Sequence, residues 1–503
     1  MNEPDNNSYG QILKSSSIIG GARLLNLVIG MVRTKFVAMF IGPSGIGLVS
    51  LYQSAIGLTG TLSGLGIGQS GVRQVAEAKA SEDRERIGRS VKALRRTCWF
   101  TGLLGTAVTS ALAWPLSTWT FGTPERAWAV AILGLTLLMG TISGGQTALL
   151  QGARRIGDLA RVNVFSVVAG TLVSIGLYAY LGERGIVAVL LINAAANLAF
   201  SWWFSRRLAV PEAALTWRET VGDARRLVSL GAAFMWSALL VAGFDLGVRG
   251  LIVRGFGTDA AGIYQAAWAI SGVFAGFILD AMGADFYPRL TAVAGDNQRV
   301  NRLVNEQTEI GILLALCGLL GTLVFSPWII RIFYTPEFSE AAGLLPWFVL
   351  GIFGRVISWP LGFILLAKGV SLWFVATETI SIALHLALVW FGLSYFGLKG
   401  VAVAFAALYG FYTLGMLRVA SRLSGFRWSR EVVRLLGIGS AVVLATFLLQ
   451  RLIPEVPSTI AGSLIVAGCA WYCLRQIVLR IGREHRISRL VLRIPLLGSR
   501  IGT

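Results

Sequence analysis

The sequence predicts an all-α polytopic membrane protein. Of its 503 residues, 55% are hydrophobic and 14% are charged, and its mean hydropathy is +0.69. Soluble domains carry about 25% charged residues, so this balance favours a chain surrounded by lipid. Apolar runs of about 20 residues, the length that crosses a bilayer core, recur along nearly the whole chain.

These runs predict about fourteen membrane spans. The polar N-terminus, residues 1–9, lacks the basic-then-apolar order of a cleavable signal, so we expect the first run to be a retained helix. The predicted spans lie near residues 15–40, 46–70, 98–121, 127–151, 160–181, 185–205, 227–256, 260–283, 307–333, 343–367, 370–396, 399–420, 432–452 and 458–480.

Lysine and arginine are distributed unequally between alternate loops. With the N-terminus in the cytoplasm, 33 of the 44 fall in cytoplasmic loops and tails, and 5 fall in loops on the opposite side. The positive-inside rule then predicts that both termini are cytoplasmic, which requires an even number of spans. The net charge of +19 is therefore a topology signal, and we expect no nucleic-acid partner.

The chain also repeats itself at an offset of 212 to 215 residues. The matching stretches are 42–47 with 257–262, 121–125 with 333–337, and 180–185 with 395–400. Because each repeat holds six spans, both copies enter the membrane in the same direction, which predicts two parallel six-helix lobes with substrate bound between them. We expect an N-lobe over residues 1–210, a C-lobe over 211–425, and a C-terminal extension over 426–503 with about two extra transmembrane helices.

Charged residues within spans are candidates for function, because burying charge in a bilayer is costly. The helix that opens each lobe carries cations, namely Arg23, Arg33 and Lys35 in the first span and Arg249 and Arg254 in the seventh. A basic cavity lined by these helices suits a phosphate or pyrophosphate, which arginine grips with paired hydrogen bonds. Lys35 and Arg254 lie near the outer ends of their spans, where snorkelling to lipid headgroups is an equal alternative.

Four further residues are candidates for ion coupling or gating. Asp245 lies four residues before Arg249, so the two either act in function or neutralise each other. Asp280 lies near the cytoplasmic end of the eighth span, as an interface residue or part of a gate. Glu378 and His385 share a face of the eleventh span, where they hold a coupling proton or cation, or else a structural hydrogen bond.

Enzyme chemistry is not expected. The chain has two histidines and four cysteines, and the cysteines all fall in or beside apolar segments, where small core residues are expected and a metal site or disulfide framework is not. No nucleophile elbow, phosphate-binding loop or paired carboxylates on a soluble face are present. We therefore expect no cofactor and no catalytic residue.

Two stretches resemble a known family: residues 33–48 (RTKFVAMFIGPSGIGL) and 64–77 (GLGIGQSGVRQVAE). They are similar to the Wzx-type flippases of O-antigen and enterobacterial common antigen units, within the multidrug/oligosaccharidyl-lipid/polysaccharide exporter superfamily. The resemblance covers about residues 9–425.

The resemblance implies a V-shaped fold with a central cationic cavity. It implies an undecaprenyl-diphosphate-linked oligosaccharide, moved by alternating access from the cytoplasmic to the periplasmic leaflet of the bacterial inner membrane, with H⁺ or Na⁺ as coupling ion. Arg23 and Arg33 match first-helix positions where relatives carry cavity arginines. Arg73 falls in the family motif and either contacts substrate or anchors the cytoplasmic loop. Membrane lipids, a polysaccharide polymerase and its chain-length machinery are the implied partners.

Two alternative functions remain open. A multidrug or cation antiporter of the same superfamily would carry acids in the first lobe, where this chain carries arginines. An assembly scaffold without transport would have no need for buried arginine. The extension resembles the two extra helices of lipid II flippases, which hold a lipid tail, and its basic end (Arg475 to Arg500) either binds anionic headgroups or fixes topology.

Overall fold

The computed structural model describes residues 5–64, 67–80, 83–208, 210–211 and 213–481. Within these ranges the chain is predominantly helical and contains no β-strand, so the predicted all-α membrane fold is confirmed. The α-helices are α1 (Asp5–Gly64), α2 (Ile67–Ala80), α3 (Arg84–Ala111), α4 (Ala113–Phe121), α5 (Ala127–Leu133), α6 (Leu135–Gly152), α7 (Ile156–Leu181), α8 (Ile186–Ser205), α9 (Trp217–Ala292), α10 (Asn297–Val324), α11 (Ser326–Phe333), α12 (Ala341–Ala367), α13 (Ser371–Phe396), α14 (Lys399–Ser424), α15 (Arg430–Leu452) and α16 (Glu455–Ile481).

The helices match the expected spans. In the described chain, ten helical segments are long and apolar enough to cross a membrane. Three of them, with 44, 50 and 39 residues, are long enough for two crossings each. The predicted span near 98–121 is built from α3 and α4, which meet at Leu112. Together these elements accommodate the fourteen predicted spans.

The repeat seen in the sequence is also present in the backbone. Gly42 interrupts α1 with φ 58° and ψ −167°, and Gly257 interrupts α9 with φ 85° and ψ 178°. Gly182 ends α7 with φ 56° and ψ −138°, and Gly397 ends α13 with φ 60° and ψ −151°. The two glycines of each pair are 215 residues apart, and all four have a positive φ, which glycine adopts without strain. The same turns are therefore made twice.

The chain divides into two compact units. The first comprises Met1–Gly262 with Phe333–Glu337, and the second comprises Ile263–Ile332 with Phe338–Thr503. The core of the first unit is formed by side chains such as Leu51 of α1 and Leu133 of α5. That of the second includes Leu290 of α9, Leu361 of α12 and Met416 of α14. The two compact units are defined by contacts between residues, whereas the predicted lobes are defined by the sequence repeat. The predicted lobe boundaries therefore stay a prediction.

Within the first unit, α1 and α9 cross at glycine. A Cβ atom on Gly47 would overlap the carbonyl oxygen of Thr258, and one on Gly262 would overlap that of Pro43. Gly47 and Gly262 are repeat-equivalent, as are Pro43 and Thr258. The hydroxyls of Ser44 and Thr258 lie 3.1 Å apart at the same crossing. The two related hairpins thus pack backbone against backbone, an approach that only glycine permits.

The C-terminal extension forms the two predicted helices, α15 and α16, within the second unit. Arg331 binds Glu455 at the start of α16 through two hydrogen bonds of 2.5 and 2.7 Å. Near the other end of α16, Arg480 pairs with Glu309 of α10. Ion pairs at both ends therefore fix α16 against its neighbours.

Candidate substrate-binding site

The first-span arginines lie on α1 without an acidic partner. Arg23 is exposed, whereas Arg33 is half-buried and lies within electrostatic range of Tyr178 on α7. Neither forms an ion pair with a carboxylate among the residues that the structure describes. A guanidinium in this position keeps its capacity for an anionic ligand.

Lys35 and Arg254 make contacts to the protein backbone. The Lys35 ammonium donates a hydrogen bond of 2.5 Å to the carbonyl of Tyr334. Arg254 is exposed, donates to the carbonyl of Trp119 at 3.1 Å, and places its guanidinium 4.5 Å from the centre of that indole ring. These contacts fit the alternative in which both side chains stabilise the outer ends of their spans, and their role in substrate binding stays a prediction.

Asp245 and Arg249 form an ion pair one turn apart on α9. Arg249 is buried, with 5% of its surface exposed, and Ser54 of α1 donates a hydrogen bond of 2.5 Å to the second oxygen of the same carboxylate. Because Arg249 is buried, losing Asp245 would leave its charge without a counterion in a medium of low polarity, so the two charges stabilise each other. The alternative that the two residues neutralise each other therefore fits the geometry.

The second unit contains a carboxylate beside tyrosine. The hydroxyl of Tyr412 on α14 donates a hydrogen bond of 3.2 Å to Glu378 on α13, and Arg355 of α12 lies within electrostatic range. His385 is buried against Phe405, with ring centres 5.8 Å apart. Glu378 is thus hydrogen-bonded and half-buried, the environment that a coupling group requires, while His385 lies among aromatic rings.

Two predicted residues fall partly outside the described structure. Arg73 lies in α2 and Asp280 in α9, but their side chains are not among those that the structure describes. Their assignments stay predictions.

Three of the four cysteines come together. The sulfur atoms of Cys317 on α10 and of Cys469 and Cys473 on α16 all lie within 4.8 Å of one another, and Cys98 is buried elsewhere. At such distances thiols pack as small, polarizable apolar groups. The spacing of Cys469 and Cys473 places them on one helical face, but no feature of the sequence connects them to Cys317.

Sequence reasoning missed several residues that hold these charged groups in place. Ser54 and Tyr412 donate hydrogen bonds to Asp245 and Glu378 from other helices, and Tyr178 of α7 lies within electrostatic range of Arg33. Serine and tyrosine are common in membrane helices, so only the tertiary structure distinguishes them.

The fold and its charged residues define a multi-pass, all-helical membrane transporter built from two related repeats. The chain belongs to the polysaccharide biosynthesis protein family, whose model matches residues 36–343.

Curated relatives agree with this family. The chain is 23% identical over 418 residues to the lipid III flippase of Escherichia coli (strain K12), an alignment that covers 80% of this chain and 96% of that protein. It is 24% identical over 307 residues to the amylovoran biosynthesis protein AmsL of Erwinia amylovora, covering 58% of this chain and 74% of that protein.

Solved structures share the fold. The lipid II flippase MurJ in an inward closed conformation has a TM-score of 0.69 at 13% identity, covering 93% of this chain and 99% of that one. An inward-facing multidrug resistance MATE family transporter has a TM-score of 0.57 at 16% identity, covering 79% and 95%. The MurJ coverage exceeds the two predicted lobes and therefore includes part of the extension. These relatives are flippases and transporters, in agreement with the expectation that the chain is not an enzyme.

Proposed function

We propose that the chain is a flippase that moves an undecaprenyl-diphosphate-linked oligosaccharide from the cytoplasmic to the periplasmic leaflet by alternating access, for cell-surface polysaccharide biosynthesis. The observation that carries this proposal is the placement of Arg33 on α1, half-buried and without a carboxylate partner among the described residues. The resemblance to a lipid III flippase over 80% of the chain supports the same class of substrate.

Arg23 and Arg33 give the diphosphate two successive binding positions. They are ten residues apart on α1, which corresponds to about 15 Å along the helix axis, or half of a bilayer core about 30 Å thick. Each guanidinium offers paired, charge-assisted hydrogen bonds to a phosphate oxygen pair. Two moderate sites in series hold the anion within the membrane without trapping it at either one.

The glycine crossing of α1 and α9 supplies a pivot for alternating access. The two backbones touch at glycine, and the Ser44 and Thr258 hydroxyls add a side-chain contact, so few side chains interlock there and we expect one helix to rotate on the other. The contact of Gly47 with Thr258 and its repeat-equivalent contact of Gly262 with Pro43 support this role.

Glu378 is the coupling group in this proposal. Its carboxylate is half-buried in a span, and the hydroxyl of Tyr412 fixes its position, so it is an ionisable group placed to hold a proton or Na⁺. Asp280 and His385 stay secondary candidates for coupling or gating.

The remaining proposals concern location and partners. We place the protein in the bacterial inner membrane with both termini in the cytoplasm, following the arginine and lysine distribution. A polysaccharide polymerase with its chain-length machinery is the expected consumer of the product. By analogy with the two extra helices of lipid II flippases, we propose that α15 and α16 contact the lipid tail.

A multidrug or cation antiporter is the second candidate, supported by the shared fold of the MATE transporter. Cation transport needs an accessible acid in the spans. In the first unit, Asp245 forms an ion pair with Arg249 and accepts a hydrogen bond from Ser54. Asp158 forms ion pairs with Arg155 and Arg161. The described acids of that unit therefore favour the flippase.

Complementation tests the proposal. Wild type, Arg33→Ala and a control, Arg299→Ala, are expressed at matched levels in a strain that lacks its own lipid-linked oligosaccharide flippase. Arg299 is an exposed arginine that pairs with Asp296 outside the predicted spans. We expect surface polysaccharide with wild type and Arg299→Ala and little with Arg33→Ala. Resistance to cationic dyes without polysaccharide would favour the antiporter, and full polysaccharide with Arg33→Ala would overturn the assignment of Arg33.

A further inference from the structure

Two adjoining cavities lie on the first unit, away from the arginines of α1. Their volumes are about 920 and 890 Å³, and both are lined by Arg95, Trp99 and Val210. The first lies between α3 and the residues Val210, Pro211, Ala213 and Ala214, and the second extends over α6 and α8. Both are at the end of α3 that the charge distribution places on the cytoplasmic side.

The lining of these cavities is strongly basic. Lys92, Arg95 and Arg96 line the first cavity and Arg206 the second, and the described lining of neither includes a carboxylate. Lys92 and Arg96 donate to the carbonyls of Ala213 and Leu215 at 3.0 and 2.8 Å, so these two side chains hold the connecting segment in place.

Arg95 and Arg206 are the cations that remain for a ligand. Arg206 lies flat on Trp203, with its guanidinium 4.1 Å from the ring centre, which orients it without neutralising it. Arg95 is exposed and forms no ion pair or hydrogen bond with the part of the chain that is described. An anion between the two cavities would therefore find uncompensated positive charge.

An exposed apolar stripe continues from Arg95 along α3. Arg95, Trp99 and Leu103 are four residues apart and share one helical face, at steps of about 6 Å. Trp99 is 52% exposed and Leu103 is 53% exposed. The order of cation, indole and aliphatic side chain matches the order of phosphate, interface and acyl chain in a phospholipid, and tryptophan prefers that interface.

We propose that this surface, defined by Arg95, Trp99, Leu103 and Arg206, is a binding site for an anionic phospholipid of the adjacent leaflet. The phosphate binds Arg95 and Arg206, and an acyl chain follows Trp99 and Leu103. The choice of a lipid over a soluble anion rests on the apolar stripe, which a soluble anion would leave exposed. The site is separate from the α1 arginines proposed for substrate.

Lipid-binding measurements on the purified full-length protein test this proposal. The variants are Arg95→Ala/Arg206→Ala, Trp99→Ala and a matched control, Arg89→Ala. Arg89 lies on the same helix outside both cavities and is paired with Glu219 at 2.5 Å. Hydrogen bonds from Thr216, together with this arginine, hold the pKa of Glu219 below its usual value, so Arg89 is already neutralised.

The protein is placed in neutral detergent and titrated with phosphatidylglycerol, phosphatidylcholine or glycerol phosphate, with bound lipid counted by native mass spectrometry. We expect phosphatidylglycerol to bind wild type and Arg89→Ala alike, and the double variant to bind at least about tenfold more weakly. Phosphatidylcholine and glycerol phosphate should bind weakly, and Trp99→Ala should lower affinity for the lipid.

Three results would overturn the proposal. The first is unchanged binding of phosphatidylglycerol by the double variant, and the second is binding of phosphatidylcholine to wild type as tight as that of phosphatidylglycerol. The third is displacement of phosphatidylglycerol by equimolar undecaprenyl diphosphate, which would assign the surface to substrate. A monodisperse elution profile for each variant separates loss of the site from loss of the fold. Because Arg33→Ala leaves this surface intact, failure of the flippase proposal and failure of the lipid site are distinguishable.

Discussion

Helices α1 and α9 occupy equivalent places in the two repeats, and both carry arginine. They differ in whether that arginine has a carboxylate partner. On α1, Arg33 has no carboxylate partner among the described residues, whereas on α9 Arg249 is paired with Asp245. Their backbones are alike, with a glycine kink at Gly42 in one and at Gly257 in the other. The two repeats therefore share the turn and the glycine crossing. They differ in their charged residues: Arg33 of α1 is a candidate ligand-binding group, whereas Arg249 of α9 forms an ion pair with Asp245.

The largest expected effect on stability comes from breaking the α9 pair. Arg249→Ala leaves Asp245 inside the membrane with Ser54 as its known partner, which should cost about 3 kcal/mol or more in the free energy of unfolding. Thermal unfolding in detergent measures this loss. The double variant Asp245→Ala/Arg249→Ala should recover most of it, and a double variant as unstable as the single one would show that the pair is not the stabilising unit.

Substitutions at the glycine crossing should be nearly equal in effect. Gly47→Ala and Gly262→Ala each push a methyl group into the opposite backbone, at a cost of about 1–3 kcal/mol. Gly57→Ala on α1, where a Cβ atom meets nothing within 4 Å, is the control. Unfolding and transport assays on the three variants test this symmetry, and harmless substitution at either crossing glycine would contradict it.

Glu378 should govern coupling without governing substrate affinity. Glu378→Gln keeps the size of the side chain and its contact with Tyr412, but it removes the group that binds the ion. We expect transport to lose its dependence on the ion gradient while binding of the lipid-linked substrate changes less than about threefold. Retained gradient dependence in Glu378→Gln would transfer the role to another residue.

The smallest effect is expected at the end of α9. Arg254→Ala removes an exposed contact with the Trp119 ring and carbonyl, worth about 0.5–1 kcal/mol. Transport should stay close to that of wild type. A loss as large as that of Arg33→Ala would show that Arg254 contacts the substrate.

The fold was predictable because its signals are local. Apolar runs predicted the helices, including the two extra C-terminal ones, and the sequence repeat matched the stretch 42–47 to 257–262, where the backbone makes the same turn twice. The pairing of Asp245 with Arg249 was foreseen as an alternative because four residues make one helical turn. The break at Leu112 had a signal in Pro115, which follows it closely and disfavours an uninterrupted span.

The site was predictable only in part. Ser54 and Asp245 are 191 residues apart, and Lys35 and Tyr334 are 299 apart. No periodicity or composition connects such pairs, because their contact depends on how the helices pack. The sequence already favoured Arg33 over Lys35 as a cavity residue, because Lys35 lies near the outer end of its span, but it gave no sign that Lys35 binds the Tyr334 carbonyl or that Arg33 lies near Tyr178.

The central claim is that Arg33 of α1, which has no carboxylate partner among the described residues, binds the diphosphate of the substrate. The most direct measurement is flipping of a fluorescent undecaprenyl-diphosphate oligosaccharide in proteoliposomes, read by an impermeant quencher, for wild type, Arg33→Lys and Arg33→Ala. We predict a fall of at least about tenfold with Arg33→Ala, because a hydrogen bond to a charged group is lost, and partial activity with Arg33→Lys. Equal flipping by all three proteins, at equal reconstitution, would contradict the claim.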